Sequence, residues 1–238
     1  MFSFMVSEGM VPDDFNISLV KPIPKKISLE NPSDYRPISI SNVLCTLFEY
    51  LLLAKVSNIC ESSPTQFGYK RFTSCKSAFF AVNETINYYK SGKASIHVVS
   101  LDATKAFDKL WRAGLFWKLK DRIEPELWRV LYVYYMNSYI IVSIDNKRSA
   151  KFLTTQGVKQ GGVLSPYLFN FFLDDLITQN NSMNIGALIG RVNMCTVAYC
   201  DDILLLSPVL SDMHRLLERV EKFARDWKLE FNPLKSVY

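Results

Sequence analysis

The chain has 238 residues, 49% of them hydrophobic and 21% charged. This composition can fill a sizeable core and excludes a disordered tail, a collagen-like fibre and a low-complexity linker. Lys and Arg number 28 against 23 Asp and Glu, and the net charge of +5 permits a nucleic-acid partner without requiring one.

Cys45, Cys60, Cys75, Cys195 and Cys200 form no CxxC pair, and with two histidines they make no zinc spacing. The odd count fits a reducing compartment. MFSFMVSEGM lacks a basic start and a long apolar run, so no secretion signal is expected. Glu49 and Lys55 interrupt one apolar run, and Asn170, Asp174 and Asp175 another, so no membrane span is expected. The expected location is inside the cell, in nucleus or cytoplasm.

In chain order, the stretch to Asn42 is Pro-rich, and LVKPIPKKI predicts an extended segment because each Pro disfavours helix in the residue before it. VLCTLFEYLLLAKV has helical length without Gly or Pro. SCKSAFFAVNETINYYKSG predicts a helix opened by Ser74 and closed at Gly92. IHVVSL, residues 96–101, is a β-branched run with the pattern of a buried strand. Residues 113–138 read as helix interrupted at Pro125, and YIIVSI, DNKR and SAKFLTT as a hairpin. QGVKQGG is a glycine loop, and Ser165-Pro166 starts a helix. IGALIG and NMCTVAY frame a second hairpin pattern, with ILLLS as return strand. SDMHRLLERVEKFARDWKL is amphipathic, with Leu216, Leu217, Val220 and Phe223 on one side. The order predicts an α+β fold around an antiparallel sheet.

Two acidic spots end apolar strands. Asp102 follows IHVVSL, and Asp201 and Asp202 lie between TVAYC and ILLLS. If the strands are neighbours, Asp102 and Asp201 meet at one edge. Carboxylates held together take up protons unless a cation neutralises them, and hard oxygen donors select Mg²⁺.

LDATKAFD, QGGVLSPYLFN and AYCDD occur in this order, with 58 residues from Asp102 to Gln160 and 41 from Gln160 to Asp201. They resemble motifs A, B and C of reverse transcriptases. LVKPIPKK, DYRPISISNVL, QFGYKRFTSCKSAFFAVNETI and FNPLKS resemble the finger motifs and motif D. The style is that of the non-LTR (LINE-type) retrotransposon enzymes. The resemblance implies a right-hand polymerase with fingers over 1–95 and a palm with an antiparallel sheet over 96–238. The thumb expected after motif D is not among these residues, which reads as a truncated element copy or an incomplete gene model.

By the same resemblance Asp102, Asp201 and Asp202 are catalytic and, with the backbone carbonyl of Ala103, hold two Mg²⁺ ions, for which Mn²⁺ can substitute. Phe107 lies under the incoming sugar and rejects a 2′-hydroxyl. Gln160 and Gly161 contact the nucleotide, Arg36 the triphosphate, and Lys235 acts as general acid near the leaving pyrophosphate. The implied partners are an RNA template, a DNA primer and dNTP, with no membrane. The chain departs from the family at Thr46 and Tyr50, where Lys is usual, and at Cys200 in the YxDD turn. Two other readings stay open: an inactive nucleic-acid-binding fragment, and an RNA-dependent RNA polymerase.

Overall fold

A computed structural model describes residues 1–25, 30–57, 62–145, 147–233 and 236–238. The elements are α1 (Phe2–Glu8), β1 (Ile17–Pro24), β2 (Tyr35–Ser41), α2 (Val43–Val56), α3 (Cys75–Ser91), β3 (His97–Asp102), α4 (Ala106–Lys109), α5 (Arg112–Leu119) and α6 (Pro125–Met136). They continue with β4 (Tyr139–Ile144), β5 (Lys147–Arg148), β6 (Phe152–Leu153), α7 (Ser165–Asn181), β7 (Leu188–Ile189), β8 (Val192–Asn193), β9 (Thr196–Tyr199), β10 (Asp202–Ser207) and α8 (Leu210–Trp227). The contacts cluster into two compact units. The first takes Met1–Ile59 and Phe107–Ser165, the second Cys60–Ala106 and Pro166–Tyr238, so each draws on both sides of residue 95.

In the first unit the sheet order is β2-β1-β4-β5, with β6 also on β4. β1 runs antiparallel to β2 but parallel to β4, so this sheet is mixed, where the sequence predicts antiparallel pairing alone. The prolines explain how far the parallel ladder reaches. It covers Ile17–Val20, and the remaining half of β1, with Pro22 and Pro24, pairs with β2 only. Proline has no N–H to give a second neighbour.

α2 opens on Asn42, whose side chain accepts the Cys45 N–H at 2.8 Å, a cap worth about 1 kcal/mol. It buries Phe48, Leu52 and Val56. Phe48 packs edge-on against Phe15 and Tyr134. Tyr134 and Tyr135 of α6 are fully buried.

In the second unit β10 lies between β3 and β9, both antiparallel to it. α3 starts where the sequence places it, with Ser74 and Ser77 forming a capping box, and ends at Gly92. α8 buries Met213, Leu216, Val220 and Phe223, a spacing of three and four residues that lines one face. Phe223 meets Phe172 of α7 edge-on. Among the described residues no helix is long and apolar enough to cross a membrane.

Candidate active site

The second unit gathers the acidic residues. β9 and β10 pair Tyr199 with Asp202, so Cys200 and Asp201 are the two loop residues of a tight hairpin. Cys200 has φ 60, and two-residue hairpin turns need a positive φ at the first loop position. Glycine would adopt it without strain; here a cysteine does.

Across the other edge of β10, Asp202 is the register partner of Asp102 at the end of β3. Directly opposed residues of an antiparallel pair project from the same face, with Cβ atoms about 4.5–5.5 Å apart. The sequence predicts Asp102 beside Asp201. The structure places Asp202 opposite Asp102 and Asp201 one residue away in the turn. Asp102 and Asp201 are half-buried and Asp202 is exposed.

Ala103, buried, forms a bridge with Phe231. The bonds flanking that bridge run from Thr104 N–H to the Glu230 carbonyl and from Asn232 N–H to the Asp102 carbonyl. This leaves Ala103 and Phe231 as a non-hydrogen-bonded pair, in which the Ala103 carbonyl is turned away from Phe231.

Among the described residues no three Asp, Glu, His or Cys side chains gather into a ready metal cluster. The donor set is instead two opposed carboxylates, a third in the adjoining turn and a backbone carbonyl. All are hard oxygens, which fits an ion such as Mg²⁺ that binds through one or two carboxylates and takes further oxygens from substrate phosphates. Burial, and then the charge of Asp201, push the Cys200 thiol up. Tyr69 is raised likewise, by partial burial first and then by Cys200, Tyr199 and Asp201.

The first unit holds the nucleotide-contact candidates. Val158 N–H donates to the Phe107 carbonyl at 2.7 Å, and Gln160 Nε2 donates to Asp108 Oδ1 at 2.8 Å. The Gln160 carbonyl accepts Ser39 N–H at 2.7 Å from β2. Gly161 has φ 105, and a Cβ there would stand 2.8 Å from the Ser39 carbonyl, so only glycine suits this approach. Phe107, Gln160 and Gly161 are thus tied into one backbone assembly. A cleft of about 230 Å³ beside it is lined by Pro37, Ser39, Asp108, Arg112, Gln156 and Gln160. Arg36 is not part of that lining. It is exposed on β2, and strand alternation sends it to the opposite face from Ser39. Lys235 lies outside the described residues.

Beneath the Gln160 loop is a buried polar network absent from the sequence reading. Lys159 Nζ lies 3.5 Å from Glu49 Oε1 and donates to the Tyr134 hydroxyl at 3.0 Å and to Asn16 Oδ1. Tyr134 donates to Glu49 Oε1 at 2.6 Å, and Glu49 Oε2 accepts Val163 N–H at 2.6 Å. Burial lowers the Lys159 ammonium, against the opposing pull of Glu49. Arg112, also buried, donates to the Gly157 and Tyr135 carbonyls and to Thr154 Oγ1, and burial brings its guanidinium down to about 10. The one sequence signal for the network was a lone Glu in the apolar run VLCTLFEYLLLAKV.

A model described as reverse transcriptase (RNA-dependent DNA polymerase) matches residues 23–238. The chain belongs to this reverse transcriptase family. It is 31% identical over 233 residues to a Pol polyprotein from the type-1 retrotransposable element R2 of Popillia japonica, covering 96% of this chain and 33% of that protein. It is 26% identical to the RNA-directed DNA polymerase from the mobile element jockey of Drosophila funebris, covering 91% and 24%. The chain therefore spans a third or less of the length of these relatives. Apo telomerase from Candida tropicalis shares the fold, with TM-score 0.68 at 12% identity over 99% of this chain and 53% of that one.

Proposed function

We propose that this chain is the catalytic core of an RNA-directed DNA polymerase of the non-LTR retrotransposon type, adding dNTP to a DNA 3′-hydroxyl on an RNA template. The observation that carries this reading is the register of Asp102 and Asp202 with Asp201 in the adjoining turn, within a chain of the reverse transcriptase family.

Asp102 and Asp201 hold the metal, with Asp202 and the Ala103 carbonyl as further oxygen donors. Two Mg²⁺ ions, when bound, supply positive charge at the triphosphate and acidify the primer hydroxyl. Phe107 excludes the 2′-hydroxyl by filling its space. Gln160 and Gly161 contact the nucleotide through the loop fixed on Ser39. Arg36 offers an exposed guanidinium fork to phosphate oxygens. Lys235 stands as the proton donor to pyrophosphate. Residues 1–95 serve as fingers and 96–238 as palm.

Primer extension on poly(rA)/oligo(dT) with dTTP and Mg²⁺, run beside a hybrid-binding assay, tests the reading. The expected result is templated incorporation. Hybrid binding without incorporation would favour the binding-fragment reading, and a preference for UTP over dTTP an RNA polymerase.

A further inference from the structure

The Cys200–Asp201 turn is held from outside its own hairpin by a residue with no assigned role. Gln66 is fully buried. Its Oε1 accepts the Cys200 N–H at 2.8 Å, and its Nε2 donates to the Cys200 carbonyl at 3.1 Å. One planar amide therefore satisfies both backbone groups of the residue with φ 60. The same Oε1 accepts Gly68 N–H at 2.9 Å. The segment carrying Gln66 is itself laid along β9: Ala198 N–H donates to the Thr65 carbonyl at 2.9 Å, and Phe67 N–H to the Ala198 carbonyl at 2.8 Å.

Two further residues make this approach possible. A Cβ at Gly68 would stand 2.5 Å from the Cys200 nitrogen, so a side chain there would push the turn away. Asn170, buried on α7, donates from Nδ2 to the Gly68 carbonyl at 2.8 Å and fixes the segment from the other side.

We infer that Gln66 is a positioning residue for the metal-holding carboxylates, its amide fixing the strained Cys200 backbone and thereby setting where Asp201 points. The inference rests on the proposed metal role of Asp201. Non-glycine residues are held at positive φ only where their surroundings over-determine the conformation. The two-residue turn demands that φ, and the Gln66 amide holds it from outside the hairpin: it bonds both backbone polar groups of the residue immediately before the carboxylate. Without it the hairpin alone must carry the cost of the positive φ at Cys200, and Asp201 is less firmly placed.

The test is Mn²⁺ binding to the purified 238-residue chain, followed by electron paramagnetic resonance, with melting temperature measured alongside. Gln66→Met keeps the chain length of the side chain and loses its hydrogen bonds. It should weaken Mn²⁺ binding about 10-fold, the lower end of the effect seen when groups supporting metal ligands are removed. Adding Cys200→Gly, which takes φ 60 without strain, should restore most of the affinity. Wild-type affinity in Gln66→Met would overturn the inference. So would a loss that Cys200→Gly fails to restore while the melting temperature falls in step, because that pattern marks a packing role alone. Amide exchange in the unmodified chain gives a second reading that needs no variant: Cys200 N–H should be protected, and exchange at the rate of an open turn would overturn the clamp. Asp201→Asn serves as control. Unchanged Mn²⁺ binding in that variant would remove the metal role of Asp201 and is distinguishable because Gln66 is intact.

Discussion

Asp102 and Asp202 are register partners across two neighbouring antiparallel strands, so their side chains leave the sheet on the same face. Asp202 is exposed while Asp102 is half-buried, so under the proposed metal role Asp202 is the more solvated of the two donors. In primer extension Asp202→Asn should lower the rate and raise the Mg²⁺ concentration needed for half-maximal synthesis. Asp102→Asn should leave no rate to measure. Equal losses in the two variants would show that the difference in exposure has no bearing on metal holding.

Phe107 is half-buried, and its backbone is fixed by Val158 N–H on its carbonyl. A ring on a fixed backbone cannot easily yield to an extra oxygen. Phe107→Val should raise incorporation of UTP relative to dTTP on poly(rA)/oligo(dT). The measured quantity is the ratio of kcat/KM values; if it does not move, Phe107 serves the core.

The Glu49–Lys159 pair lies just below Gln160 and is almost wholly buried. Removing one partner strands the other charge. Lys159→Met alone should cost about 3–5 kcal/mol in urea unfolding, the usual scale for breaking a buried pair. Glu49→Leu should also destabilise, and the double variant should lose less than the two single losses added together. Additive losses would mean the two charges do not stabilise one another.

Cys195 is fully buried, and burial raises its thiol from 9.0 to about 11. Between those values the folded chain keeps the proton and the unfolded chain releases it. The unfolded state then binds fewer protons, so stability falls as pH rises. The contribution is whole below pH 9 and lost by pH 11, about 3 kcal/mol at most. Cys45 and Cys200, also raised by burial, act in the same direction. Lys159, lowered by burial, acts in the opposite direction. The informative quantity is therefore the difference between the parent chain and Cys195→Ala in urea unfolding across pH 9–11. The variant should lose less stability over that window; parallel curves would refute the burial argument.

Local chemistry made much of the fold legible. Ser74 and Gly92 bound α3, Pro125 separates α5 from α6, and the Asp201–Asp202 pair lies beside a turn between two apolar strands, one residue later than its loop residues Cys200 and Asp201. The parallel pairing of β1 with β4 was not legible, because Leu19 and Ile141 meet only through the tertiary fold. α1 went unread because seven residues with no side-chain cap carry little helical signal. The opposition of Asp102 to Asp202 is a register between β3 and β10, a pairing of residues 100 apart that composition does not announce. Gln66, within the finger-motif string, and Lys159, within the glycine loop, carry no local signal that singles them out. Their importance comes from burial against Cys200 and Glu49, each more than 100 residues away.

The most direct measurement is dTTP incorporation on poly(rA)/oligo(dT) in Mg²⁺, comparing the parent chain with Asp102→Asn and Asp201→Asn. Template-dependent extension should appear in the parent chain and disappear in both variants while hybrid binding is retained. Extension that survives either substitution with the same Mg²⁺ dependence would contradict the proposed function.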